Sequence, residues 1–172
     1  MHLVNSFLTD DYYGLLDDGE GALNAAGLLD IGVGRLPVRN AEQSKIVTDK
    51  ILHYLENPAS THGDWRNVIV VPADDEDRNT HLNQAEKLVN SIDTLDPVYN
   101  INKIYFDTYK KQSTPGGGRY PDVNREIASR VEKGALLVNY VGHGGEVGWA
   151  DERVLEISDI NAWTNYERMG LF

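Results

Sequence analysis

Apolar positions along this chain alternate between short β-branched runs and stretches of helical period, which predicts a parallel sheet covered by helices. The segment 30–37 (Asp-Ile-Gly-Val-Gly-Arg-Leu-Pro) reads as a short strand stopped by Pro37. Asn40 followed by Gln43 predicts a capping box. Val47, Ile51, Tyr54 and Leu55 then mark one stripe of a helix ending near Asn57 and Pro58. Val68-Ile69-Val70-Val71 is a continuous apolar run, as in a strand buried on both faces.

A second helical stripe follows at Leu82, Ala85, Leu88, Val89 and Ile92, and 104–106 reads as a third strand. Ser113 to Gly118 reads as a flexible loop without packing side chains. Pro121 and Asp122 open a helix carrying Val123, Ile127 and Val131, with Gly134 placed to end it. The run 135–141 is the fourth strand and leads straight into Gly142-His143-Gly144-Gly145. A short helix over 157–163 and the first residues of another strand at 169–172 complete the pattern. The expected architecture is α/β, a three-layer parallel sheet with helices on both faces. The polar stretch 58–64 is the best boundary, so 1–62 is expected to end one subdomain and 63–172 to open a second.

Charge narrows the partners. With 16 Lys and Arg against 27 Asp and Glu, the net charge of −11 offers no basic surplus to neutralise phosphates, which argues against nucleic acid. No apolar run approaches the roughly 20 residues of a membrane-spanning helix, and no basic segment precedes an apolar leader core. The complete lack of cysteine excludes a disulfide framework, a thiolate zinc site and a cysteine nucleophile within these residues.

In open parallel sheets, ligands bind beyond the carboxyl ends of the strands. Two polar constellations sit there: Asp74-Asp75-Glu76-Asp77 and the loop 143–152. Glycines flank His143, so the backbone can turn sharply and bring N–H groups close to a substrate. His143 is a candidate general base, and the Gly144 N–H a candidate oxyanion donor. An acid of 74–77 is a candidate to orient the imidazole, or to give oxygen ligands to calcium. His81, one turn into the next helix, is a secondary candidate. Glu146 and Trp149 are candidates for lining a substrate pocket. Plainer readings stand beside these: a histidine in a tight turn, an acidic turn capping a helix, a tryptophan packed under a loop. A metal-dependent hydrolase using Asp74, Asp75, Asp77 and His143 is a further alternative.

Taken together, several segments resemble the gingipain-type cysteine peptidases, whose fold is caspase-like. Asp11-Tyr12-Tyr13-Gly14 is similar to an early family segment, and 30–37 to its Gly-Arg strand. The helix ending Ile51-Leu52-His53-Tyr54-Leu55-Glu56 is similar to the family's next helix. Asn139 to Glu146, with Trp149, resembles the catalytic-histidine motif and is the most specific of these signals.

The resemblance implies His143 as the catalytic histidine, Gly144 at the oxyanion site, and Glu76 or Asp75 as the orienting acid. It implies a peptide substrate, no required cofactor beyond a possible structural calcium, and a nucleophilic cysteine on the strand after the histidine loop. The sequence is therefore expected to be a fragment lacking its thiolate, inactive alone, with an exposed sheet edge. Within the family the likeness is greatest to peptidases and sortases of type IX secretion. That implies secreted cargo as substrate, other secretion proteins as partners, and outer-membrane association at the cell surface through parts outside these residues. A non-catalytic member binding secretion partners through the same cleft is the alternative of a different class.

Overall fold

The computed structural model describes residues 9–21 and 27–172, so the opening Met1-His2-Leu3-Val4 lies outside the described residues. The chain divides into two compact units, Met1–Ile51 and Leu52–Phe172.

In the first unit, the predicted strand at 30–37 is not formed. Its polar groups serve a local loop instead. Leu16 N–H donates to Asp30 Oδ2 and Asp30 N–H to the Gly14 carbonyl, both at 2.8 Å. Arg35 Nε donates to Asp10 Oδ2 at 2.8 Å. Gly32 and Gly34 add no side chain that would pack a strand on a neighbour. Helix α1 (Ala41–Glu56) follows. Its start carries half of the expected capping box: Gln43 N–H donates to Asn40 Oδ1 at 2.9 Å, whereas Gln43 Oε1 accepts from Arg39 N–H, one residue before the cap, at 2.8 Å. Asn57, at φ 51°, turns the chain out of the helix.

The second unit runs β1 (Val68–Ala73), α2 (Glu76–Leu95), β2 (Asn100–Tyr105), β3 (Gln112–Thr114), β4 (Gly117–Arg119), α3 (Pro121–Lys133), β5 (Leu137–Val138), β6 (Gly148–Trp149), β7 (Leu155–Glu156) and α4 (Ile157–Ala162). Its main sheet has the parallel order β2-β1-β5. The two faces of β1 bury different residues, as strand alternation requires. Ile69, Val71 and Ala73 pack with Ala85 and Val89 of α2. Val70 packs on the other side with Val123, Ile127 and Val131 of α3. Helices therefore cover both faces, as the sequence pattern predicts.

Pairing beyond the named strands matters more for function. Leu136, Asn139 and Val141 N–H groups donate to Val68, Val70 and Pro72 carbonyls, so the β5 segment tracks β1 along its whole length. Ala73 and Val141 form the last bridge, and Asp74 N–H donates to the Val141 carbonyl at 3.0 Å. The loops after the two strands thus begin side by side. On the other side of β5, Leu171 bridges Leu137 in parallel, consistent with the strand start predicted at 169–172.

The segment read as a flexible loop at 113–118 is instead the tip of an antiparallel hairpin, β3 to β4. Pro115 and Gly116 make its turn, and Gly117 at φ 106° occupies a backbone region that other residues avoid. A hairpin this short is set by turn chemistry, which an apolar-period reading does not detect.

Candidate active site

Asp74 leaves β1 almost fully enclosed, at 1% exposure. Its Oδ2 lies 3.2 Å from His143 Nδ1 and accepts the His143 backbone N–H at 3.3 Å. Its Oδ1 accepts Glu76 N–H at 3.2 Å. A buried carboxylate needs such donors, and here they come from both loops. Gly142 makes the approach possible, because a Cβ there would collide with the Tyr140 hydroxyl and with Cβ of Asp74.

The His143 ring is half exposed. Nε2 lies 3.2 Å from Asp77 Oδ2. Asp77, Arg78 and Asn79 all have left-handed backbone angles, with φ between 51° and 62°. Each such residue costs roughly 1–2 kcal/mol, so this opening turn of α2 is strained. It aims Asp77 at two rings, since His81 Nε2 is 3.6 Å from the same Oδ2. The His81 and His143 rings meet edge to face with centroids 4.7 Å apart.

The hydrogen bond that His143 donates to Asp74 holds the His143 pKa above its ordinary value, against some desolvation, with the charges of Asp77, Asp74 and Glu76 adding to the rise. With Nδ1 engaged by Asp74, Nε2 is the ring nitrogen that exchanges a proton, and its contact with Asp77 is an ion pair when the ring is protonated.

The loop after His143 is held from behind. Tyr140 donates its hydroxyl to the His143 carbonyl at 2.8 Å and stacks on Trp149 at 4.4 Å. Ala150 N–H donates to the His143 carbonyl at 2.8 Å and Gly145 N–H to the Gly148 carbonyl at 3.0 Å. These bonds flank the Gly144–Trp149 bridge and make it a non-hydrogen-bonded pair, so the Gly144 N–H points away from it. Among the described residues, no atom lies within 4 Å of where a Gly144 Cβ would sit.

A cleft of about 510 Å³ opens beside His143, lined by Glu76, Lys111, Gly144, Asp151, Glu152 and the 116–118 turn. Glu152 is 3% exposed; one carboxylate oxygen pairs with Lys111, and the other has no partner among the described residues. Burial, followed by the charges of Glu152, Asp74 and Asp151, raises the Glu76 pKa. On the other side of the same loop, a groove of about 600 Å³ is lined by Glu146, Val147, Trp149, Leu155, Ile157 and Ile160.

The structure therefore brings His143, Gly144, Glu76, Glu146 and Trp149 to one end of the sheet. The carboxylate at Nδ1 is that of Asp74. Glu76 faces the cleft, and Asp75 turns the other way to accept the Tyr120 hydroxyl at 2.7 Å. Burial and Asp75 together push the Tyr120 pKa up, which keeps it a donor. Lys111 and Tyr120 also reach the site, and Tyr140 of the histidine motif braces it from behind. Lone lysines and tyrosines carry no spacing signal, and only the fold brings them here.

Residues 2–172 match the family model of Peptidase family C25. The chain belongs to Peptidase family C25, the gingipain family of cysteine peptidases. No curated protein and no solved structure matches it. The mixed α/β fold with its parallel sheet accords with the gingipain and caspase-like architecture. These 172 residues contain no cysteine, so a family nucleophile has to come from outside them. Among the described residues no helix is long and apolar enough to cross a membrane.

Proposed function

We propose that this chain supplies the general base of a cysteine peptidase, with His143 as the base and Asp74 as the residue that positions it. The observation that carries this reading is the Asp74–His143 contact at the shared end of β1 and β5, with Nδ1 held by the buried carboxylate and Nε2 against the exposed Asp77. In the reaction Nε2 takes the thiol proton, and the thiolate attacks the scissile carbonyl. The Gly144 N–H stabilises the oxyanion, and the imidazolium returns its proton to the leaving amine. Asp77 is displaced from Nε2 by the thiol and substrate. A strand continuing past Leu171 beside β5 runs toward the same sheet end, which supports placing the nucleophile there in a longer protein. The cleft and the groove flanking Gly144 take substrate side chains, with Glu146 and Trp149 in the groove.

The finer reading is that the parent serves type IX secretion, removing C-terminal signals from cargo as a sortase that resembles PorU, at the outer face of the outer membrane. Its support is the overall likeness of the chain to that branch of the family, while the motif of Asn139 to Glu146 with Trp149 supports the family as a whole. The test is peptide hydrolysis by the longer natural chain, alone and with purified cargo bearing its C-terminal signal. The expected result is thiol-dependent cleavage at the cargo's signal junction, abolished by His143→Ala. A folded longer chain that binds cargo but cleaves no peptide would favour a non-catalytic binding module.

A further inference from the structure

We propose that Asp74, His81 and His143 form a binding site for a divalent transition-metal ion, zinc foremost, that silences the base when occupied. The three side chains come from separate parts of one unit: the end of β1, helix α2, and the loop after β5. Each offers a ligand atom, and these atoms all lie within 4.8 Å of one another. Asp74 Oδ2 and His143 Nδ1 are already 3.2 Å apart. Zinc with bonds of about 2.0–2.1 Å in a tetrahedral shell holds its donors roughly 3.3 Å apart, so Asp74 and His143 already have that spacing and the His81 nitrogen, within 4.8 Å, has to draw in to complete the set.

His81 is the residue that separates this site from the catalytic pair. Its Nε2 is buried yet makes no hydrogen bond among the described residues, and its side chain is 17% exposed. An enclosed ring nitrogen whose neighbour, Asp77 Oδ2 at 3.6 Å, lies beyond hydrogen-bond reach is costly, and a metal ion would satisfy it. Asp77, at 3.2 Å from His143 Nε2 and 3.6 Å from His81 Nε2, adds negative charge at the mouth. Two imidazoles and one carboxylate select zinc, copper or nickel over calcium and magnesium, which prefer oxygen. With the ion in place, the imidazole of His143 is committed to the metal and no longer moves freely to a thiol. That consequence rests on the peptidase reading above, whereas binding itself does not.

The test is calorimetric titration of zinc chloride into the metal-free 172-residue chain, beside His81→Ala and His143→Ala variants whose folding is checked by circular dichroism. The expected result is one zinc per chain, weakened roughly tenfold or more in each variant. Ring signals of His81 and His143 should shift together, those of His53 and His62 should stay, and calcium should give no heat. Absence of zinc binding, or full-strength binding in the folded His81→Ala variant, would overturn the site. In the longer chain, thiol-dependent cleavage should fall with the same zinc dependence; cleavage unaffected at saturating zinc would overturn the silencing. A longer chain without such cleavage before zinc is added would count against the peptidase reading, and the calorimetry still decides the metal site.

Discussion

One oxygen of Asp74 holds His143 at two points, 3.2 Å from Nδ1 and 3.3 Å from the backbone N–H. The carboxylate thereby fixes both the ring and the loop that carries it. Replacement by Asn keeps the shape but removes the charge. Asp74→Asn should lower the His143 titration midpoint toward the ordinary value near 6.5, read by NMR in chelator-treated samples. In the longer peptidase, kcat should fall by roughly 10²–10⁴-fold.

The same contact sets a sign for stability. The folded-state pKa of His143 is raised, chiefly by the Asp74 hydrogen bond. Its contribution is therefore fully present below the unfolded-state value and is lost as pH rises through the folded-state value. Thermal melts across that window should show wild type losing an increment that His143→Ala lacks.

Glu76 carries the opposite sign for a carboxyl. Burial and the acids around it raise its pKa, so ionisation costs stability as pH rises from the unfolded-state value through the folded one. Glu76→Gln should remove that loss and melt at or above wild type at neutral pH, while the two converge in acid. A lower melting temperature for the variant at neutral pH would show that Glu76 is stabilising where it sits.

Lys111 is the partner of a buried charge. Lys111→Met leaves Glu152, 3% exposed, without its cation and should cost on the order of 1–3 kcal/mol at neutral pH. The double variant Lys111→Met with Glu152→Gln should recover most of the loss. Chemical denaturation of the four proteins measures the coupling.

Gly142 has no room for a side chain. Gly142→Ala should destabilise by about 1–3 kcal/mol and disturb the His143 titration, since the added methyl meets both Tyr140 and Asp74.

Much of this was legible in the residue pattern. The β-branched run at 68–71, the stripe Val123–Ile127–Val131 and the glycine-flanked His143 each follow from local periodicity or local chemistry. The acidic run at 74–77 narrowed the orienting residue to four, but four adjacent carboxylates look alike in sequence. Their directions are set by the last bridge between Ala73 and Val141 and by the left-handed turn at Asp77–Asn79, neither of which leaves a spacing signal. Segment 30–37 failed as a strand because strand formation needs a neighbour, and its polar groups are taken by Gly14, Leu16 and Asp10 instead. Long-range partners such as Lys111 for Glu152 emerge only once the sheet has brought distant loops together.

The role proposed for His143 is to take a proton from a thiol. The most direct measurement is the rate at which iodoacetamide alkylates the nucleophilic cysteine of the longer chain, followed across pH in wild type and His143→Ala. With His143 in place the thiol should already be reactive well below the free-cysteine pKa of about 8.5, and the profile should move up toward that value when His143 is removed. Identical profiles in the two proteins, each like that of a free cysteine, would contradict it.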